Sequence, residues 1–299
     1  KTSSLDIVEK LKISYDGLEP EEQNIFLDMA CFFRGFEREE VIQILESCDL
    51  EAEYGLSVLI DKSLVFIDDN TIQMHDLIQE MGKYVVKMQK DPGERSRIWD
   101  MEDFKQVMIN NTGTVEAIWF SNYQENLYVS KEAMKNMRRL RILYIRNFVG
   151  ECYSDDGSIE YLSNNLLWFK WNRYPWESLP ENFEPTKLVR LEISGSNLRY
   201  LWQGTKYLPS LRSLNLMYSR ILMRTPDFTG MPNLEKLNLQ GCRSLEEVHP
   251  SLKCCRKLIK LNLKFCGGLV TFPDILGRRM NLVLDIQMFG LGIRELPSS

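Results

Sequence analysis

The chain has 299 residues, 44% hydrophobic and 26% charged, with a formal net charge of −5. That composition is globular and excludes wholesale disorder or a collagen-like repeat. No run of 18 apolar residues occurs, so no membrane-spanning helix is expected, and the seven cysteines, without a CxxC pair, fit a reducing compartment rather than a disulfide framework or zinc site.

The charge is divided unevenly. Residues 1–100 hold 22 acidic and 11 basic side chains, and residues 101–299 hold 20 and 26. Such asymmetry predicts two modules with different jobs. Their opposite signs allow an intramolecular contact, or simply two separately solvated surfaces. The chain opens Lys1-Thr2-Ser3-Ser4, without an initiator Met or a signal-type apolar segment. This is expected of a piece whose true start lies upstream.

Residues 1–100 read as helices with one hairpin. Ser3 or Ser4 caps a first helix with Ile7, Val8, Leu11 and Ile13 mostly on one side, ended by Asp16-Gly17. Pro20 starts a second, with Glu21 and Glu22 in its first turn and an apolar face of Ile25, Phe26, Met29, Phe32 and Phe33. A third covers 38–48 and a fourth 52–62. Residues 63–67 and 71–74, joined by a turn at Asp68-Asp69-Asn70, form a short hairpin. Asp76 caps the next helix in a capping box with Gln79, and Leu77, Ile78, Met81, Val85 and Met88 line its buried side. Helices followed by a two-stranded wing predict a winged-helix domain.

Winged helices often bind DNA, which demands Lys and Arg set against phosphates. The two helices before this hairpin carry Glu37, Glu39, Glu40, Glu46, Asp49, Glu51 and Glu53 against only Arg38 and Lys62. No DNA partner is expected here; a nucleotide-facing or protein-facing role fits better.

After a linker helix in 101–114, the chain becomes repetitive. An LxxLxL pattern recurs at Leu188, Leu211, Leu234 and Leu258, at intervals of 23, 23 and 24 residues. That is the leucine-rich-repeat period. Weaker copies precede it at Val115, Leu140 and Leu166. A copy at Leu282 places Asp285 and Gln287 in core positions and reads as degraded or register-shifted. About seven repeats are expected over 115–299, in an array that lacks a polar capping repeat and so looks truncated. The predicted fold is an α+β two-module chain: a winged-helix domain, then an α/β-type leucine-rich-repeat solenoid. Ser196, Ser219, Cys242 and Cys266 fall just after the strands, where a small polar group satisfies loop backbone donors. Stacked strands bury a continuous core and present a concave surface used for binding. Lateral alignment of its outward positions gives three columns, from Ala117, Trp119 and Ser121 to Lys260, Asn262 and Lys264. The face carries Arg146, Lys170, Arg190, Lys236, Lys260 and Lys264 against Glu192 alone, with Trp119, Tyr144 and Trp168 clustered at one end. Exposed aromatic and arginine side chains anchor interfaces. The expectation is a face that binds an acidic protein surface, the acidic first module included.

No catalytic constellation appears. Only His75 and His249 are present, without HExxH, Gly-x-Ser-x-Gly or GxxxxGK[ST]. His75 stands between the hairpin and a helix N-terminus, where N–H groups and the helix dipole favour anions.

Met74-His75-Asp76 in that setting resembles the MHD motif of plant nucleotide-binding leucine-rich-repeat (NB-ARC-LRR) immune receptors. Leu11–Gly35, 60–64 (IDKSL) and 91–99 (DPGERSRIW) are similar to the same family, in the form of its TIR-bearing class. Trp176, Pro226-Asp227-Phe228 and 292–297 (GIRELP) extend the likeness through the repeats. The resemblance implies a fragment of an intracellular receptor that recognises a pathogen effector or a guarded host protein. ADP would hold a closed state in which the repeats autoinhibit, and exchange for ATP would accompany opening and oligomerisation. His75 would contact the ADP phosphate, with Met74 and Asp76 completing the switch motif. No P-loop or TIR domain stands in this sequence, so neither tight nucleotide binding nor catalysis is expected of the chain alone, and the compartment implied is cytoplasmic, with no membrane partner. A leucine-rich-repeat adaptor, such as a ubiquitin-ligase substrate receptor, is the alternative.

Overall fold

The computed structural model describes residues 4–46, 51–89, 94–110, 113–121, 126–146, 152–154, 157–271 and 283–285. The chain divides into two compact units, Lys1–Val107 and Met108–Ser299.

The first unit holds helices α1 (Ser4–Asp16), α2 (Pro20–Asp28), α3 (Arg38–Glu46), α4 (Ala52–Asp61) and α5 (Asp76–Gln89). The hairpin is β1 (Phe66–Asp68) with β2 (Thr71–Gln73), and a short strand β3 (Arg97–Ile98) follows. Helix α6 (Met101–Asn110) crosses the boundary between the units.

Helix α1 corrects one expectation: Ile13 is 71% exposed, whereas Tyr15 and Leu18 are buried. Leu11, Tyr15 and Leu18 follow the i, i+4, i+7 stripe, and Ile13 stands two residues from its neighbours on that stripe, so it faces away. The side chains of Ile7 and Val8 lie outside the described residues. Helix α2 begins at Pro20, and the Glu22 carboxylate accepts the Glu19 N–H at 2.9 Å. It runs into a π-helical turn, Met29–Phe33, whose five residues are all buried. Gly35 then takes φ 84°, a left-handed conformation that suits glycine. Its N–H donates to the Ile72 carbonyl at 2.7 Å, and Ile72 N–H donates to Phe36 O at 2.8 Å. The segment thus lies along β2 as a third short strand.

The wing is shorter than its sequence suggests. Ser63 adopts φ 57°, and the N–H groups of Leu64 and Val65 both return to the Leu59 carbonyl. This is a left-handed C-terminal cap of α4, so the strand starts only at Phe66. Asp69 and Asn70, both at positive φ, make the tight turn that matches strand twist.

Helix α5 buries Ile78, Met81, Val85 and Val86, but Leu77 and Met88 are 41% and 66% exposed, against expectation. Three turns apart, those two share one azimuth, about 100° from Ile78. Gly82 lets α5 approach the π turn: a Cβ there would lie 2.5 Å from Ala30 Cβ and 3.1 Å from Phe26. A buried ion pair ties this core together. Arg97 Nε donates to Asp28 Oδ1 at 2.8 Å, and its other nitrogens reach Ser96 Oγ and the Asn24 carbonyl. Both charged side chains are at most 1% exposed.

The second unit is a parallel ladder of eight strands, in spatial order β4 (Ala117–Ser121), β6 (Ile142–Arg146), β8 (Trp168–Trp171), β9 (Arg190–Glu192), β10 (Ser213–Asn215), β11 (Lys236–Asn238), β12 (Lys260–Asn262) and β13 (Val283–Asp285). A second, two-stranded parallel pair, β5 (Leu127–Tyr128) with β7 (Cys152–Tyr153), flanks helix α7 (Lys131–Asn136). The registers match the columns read from the sequence: Arg190 faces Ser213, which faces Lys236, which faces Lys260. In β13, Leu284 lies opposite Leu261 and Asp285 opposite Asn262. The last copy is therefore shifted by one residue, which puts a leucine rather than Asp285 in line with the core column.

Between the strands, each leucine column is buried, Leu191, Leu214, Leu237 and Leu261 all at 1% exposure or less. Three of the small residues after the strands work in the opposite sense to the one expected. Ser219 Oγ donates to Ile193 O at 3.2 Å, Cys242 Sγ to Leu216 O at 3.2 Å, and Cys266 Sγ to Leu239 O at 3.0 Å. These three satisfy carbonyls of the preceding repeat, because a thiol or hydroxyl hydrogen fits a column of inward carbonyls; Ser196 alone keeps the expected role, its Oγ accepting the Leu198 N–H at 3.5 Å. Burial raises the Cys266 thiol to about 11 and the Cys31 thiol to about 12.

One residue after each of β8–β12 turns left-handed: Arg173, Gly195, Tyr218, Gly241 and Phe265, all with φ between 60° and 73°. Large side chains alternate with glycine along this row. The Tyr218 ring occupies the space a Cβ on Gly241 would need, 2.4 Å away.

Candidate functional site

The pleat of β2 carries into the switch motif. Ile72 and Met74 point inward, at 0% and 1% exposure, while Gln73 and His75 point outward. Met74 is thus an anchor that fixes His75 at the surface. The His75 carbonyl accepts the N–H groups of Ile78 and Gln79 at 3.0 Å each, which starts α5. The imidazole packs on the Phe66 ring, centroids 5.9 Å apart. Among the described residues it has no hydrogen-bond partner.

Asp76 and Gln79 do not form the expected capping box. Arg34 Nη1 donates to Asp76 Oδ1 at 2.6 Å and to Gln79 Oε1 at 2.8 Å, while Gln79 Nε2 donates to the Ala30 carbonyl at 3.0 Å. A guanidinium offers a charge-assisted bond that a backbone N–H does not match, so both side chains turn to Arg34. The link joins the π turn to the first turn of α5. Arg34 was not singled out from the sequence; only the 42-residue separation closed by the fold reveals it.

The residues fit an anionic ligand. An exposed, unpaired imidazole stands beside the N-terminus of a 14-residue helix, whose positive end favours a phosphate.

The concave face is less open than its columns imply. Tyr144 and Trp168 are 3% and 2% exposed, and Trp119 is half-buried. Trp119 stacks on Tyr144 at 3.6 Å and 5°, with Trp168 edge-on to both. Parallel strands stand about 4.8 Å apart, close enough for rings in adjacent columns to bury one another. Lys170 Nζ sits 5.2 Å from the Tyr144 centroid and bonds Glu192 at 2.7 Å. Arg190 lies over Trp168, whose Nε1–H donates to Glu192 at 3.0 Å. These five residues and Glu192 form one packed cluster with a single net positive charge rather than a set of exposed anchors. Lys236 and Lys260, by contrast, are exposed neighbours in register with no ion-pair partner among the described residues. Arg146 is exposed at the edge of β6, while Lys264, just beyond β12, is partly covered, five strand spacings or about 24 Å along the ladder. Asn215, Asn238 and Asn262 of the middle outward column have a role that the column pattern did not assign. Each amide oxygen accepts the N–H two residues on, at 3.1 Å, and shapes the exit from its strand.

Residues 19–90 match the family described as the winged-helix domain of Roq1-like disease resistance proteins. The chain is 52% identical to TMV resistance protein N of Nicotiana glutinosa over 98% of its own length and 27% of that protein. It is 36% identical over its whole length to the Arabidopsis thaliana disease resistance protein RPP2A, of which it covers 25%. It is 37% identical over 84% of its length to RPV1 of Vitis rotundifolia, of which it covers 20%. The chain spans about a quarter of the length of these curated relatives. Among solved structures, the leucine-rich repeat domain of the type III effector XCV3220 (XopL) aligns over 95% of both chains at 16% identity and a TM-score of 0.42. The repeat architecture here rests on the strand ladder itself. The resemblance to plant disease resistance receptors thus holds along the whole chain, through parts that are not catalytic domains. No helix among the described residues is long and apolar enough to cross a membrane.

Proposed function

We propose that this chain is the winged-helix and repeat portion of an intracellular, cytoplasmic plant immune receptor. In this reading the MHD motif senses ADP against ATP, and the repeats hold the resting state and recognise a pathogen effector or a guarded host protein. The carrying observation is the exposed, unpartnered imidazole of His75 at the start of α5, flanked by Asp76 in its ion pair with Arg34. His75 would hold the diphosphate of ADP. A bound diphosphate supplies the negative charge that distinguishes loaded from empty states. The chain's own residues do the rest: Met74 fixes the height of His75, and Arg34 holds the first turn of α5 against the π turn. Lys236 and Lys260 give the repeats an unpaired positive pair suited to an acidic protein surface, whether a partner's or the acidic first unit's. Opening would release the repeats and permit oligomerisation.

The test is the nucleotide content of the purified full-length receptor. His75→Ala should lower the ADP retained through purification, and Asp76→Val should speed its exchange and give ligand-free signalling. Wild-type ADP content and exchange in both variants would refute the reading. Lys236→Glu with Lys260→Glu should weaken partner capture at low salt and leave ADP content unchanged.

A further inference from the structure

A groove of about 920 Å³ opens just past the strand ends, where the third outward column of the concave face (Asn172, Ser194, Met217) meets the loops that follow. It is lined by Arg173, Arg220, Tyr218, Met217, Ile221 and Asn172 among others, and no acidic residue lines it. Arg173 and Arg220 are exposed, and among the described residues neither guanidinium has an ion-pair or hydrogen-bond partner. Arg243, one repeat beyond Arg220, is exposed and unpaired in the same way. Between them Tyr218 is held out by its left-handed backbone and is 44% exposed, its hydroxyl accepting from Gln240 Nε2 at 2.9 Å. The amide oxygen of Asn172 is buried without a donor.

Other arginines of the repeats show what is unusual here. Arg199 and Arg212 each lie against a glutamate, Glu177 and Glu235. The groove thus combines uncompensated positive charge with an aromatic face and apolar side walls. Guanidiniums bind carboxylates bidentately and are the common anchors for acidic motifs.

We propose that this groove binds an extended acidic peptide segment of a partner protein, with a carboxylate on each guanidinium and an apolar or aromatic side chain against Tyr218. The spacing sets the motif. Arg173 and Arg220 stand two repeats apart, about 10 Å along the ladder, with Arg220 two positions later in its repeat, an offset within the reach of the two long side chains. An extended chain covers that distance in three residues at about 3.3 Å each, so the acids sit at i and i+3. The unpaired amide oxygen of Asn172 suits a backbone N–H of the same peptide once its side chain turns toward the groove.

The test uses the 299-residue chain and a fluorescein-labelled peptide, GSEYVEGS, followed by anisotropy at low salt. Binding should be saturable, weaken as salt rises, and fall at least about tenfold with Arg173→Glu and Arg220→Glu together. The neutral pair Arg173→Asn and Arg220→Gln should give an intermediate loss, with circular dichroism unchanged in both. Lys236→Glu with Lys260→Glu on the concave face should cost clearly less peptide affinity than the arginine pair does. The proposal is overturned if GSQYVQGS binds equally well or if the peptide does not bind. It is equally overturned if the concave-face variant loses as much affinity, which would place the peptide with the concave lysines. Tighter binding of a single-stranded oligothymidine, abolished by the same arginine variants, would reassign the groove to nucleic acid.

Discussion

Arg34→Ala tests the wiring of the switch motif more directly than any change at Asp76. The guanidinium holds two side chains of α5 at once, Asp76 at 2.6 Å and Gln79 at 2.8 Å. Asp76 is 83% exposed and Arg34 33%, so the ion pair is screened and contributes about 0.5–1 kcal/mol rather than the several expected of a buried pair. The bond to Gln79 adds about 0.5–1 kcal/mol. Together, about 1–2 kcal/mol shifts a two-state equilibrium roughly five- to thirtyfold. With this pair part of the resting arrangement, Arg34→Ala releases it at least as strongly as Asp76→Val, which loses only the first contribution. The Arg34→Ala/Asp76→Val double variant should be no more active than Arg34→Ala alone, since both remove one interaction. The readouts are ADP retained by the purified full-length protein and the ligand-free signalling proposed above. Wild-type ADP retention in Arg34→Ala, or effects that simply add in the double variant, would refute the coupling.

Other outcomes follow from the cores. Asp28→Ala leaves the Arg97 guanidinium buried without its carboxylate and should cost about 3–5 kcal/mol. Hydrogen exchange in the intact chain should show α2 deprotected by about a hundredfold or more, with β9–β12 unchanged; less than a tenfold change would mean water reaches Arg97. Gly82→Ala forces a methyl against Ala30 and Phe26 and should lower the urea midpoint of the first unit by the equivalent of about 1–3 kcal/mol; an unchanged midpoint would mean α5 moves freely off the π turn. Thiol labelling at pH 8, mapped by peptide, should modify Cys254 fast, because it is exposed, and leave Cys31 and Cys266 slow. Burial holds their pKa values at about 12 and about 11, so thiolate is scarce at pH 8 and grows only as pH rises toward those values. Equal labelling of Cys254 and Cys266 would contradict the buried ladder.

The repeat register was legible because a fixed period of 23 or 24 residues aligns columns whatever the side chains are, and the pairing of Arg190, Ser213, Lys236 and Lys260 follows from counting alone. Exposure was not legible. Alternation assigns Tyr144 and Trp168 outward, but the pattern of one strand does not contain the ring on the next. The same limit hid the partner of Asp76. A capping box is a local rule, and Arg34 outcompetes it from 42 residues away. At β13 the misleading signal was Leu282 itself, a leucine one residue too far along, while Leu284 holds the column. Leu64 and Val65 looked like strand by β-propensity and hydropathy, yet the left-handed turn at Ser63 keeps them on the end of α4.

The alternation of large residue and glycine along the turn row has a consequence for how such an array changes length. Tyr218 lies where any side chain at position 241 would be, so this bulky turn needs a bare one beside it, whereas Arg173 stays 3.9 Å from a Cβ on Gly195. Deleting the single repeat that carries Gly241 would bring Tyr218 against Phe265, two rings contending for one slot. Deleting two neighbouring repeats keeps the parity. The smallest unit by which this part of the solenoid lengthens or shortens without repacking is therefore a pair of repeats, about 46 or 47 residues of sequence and about 10 Å of ladder.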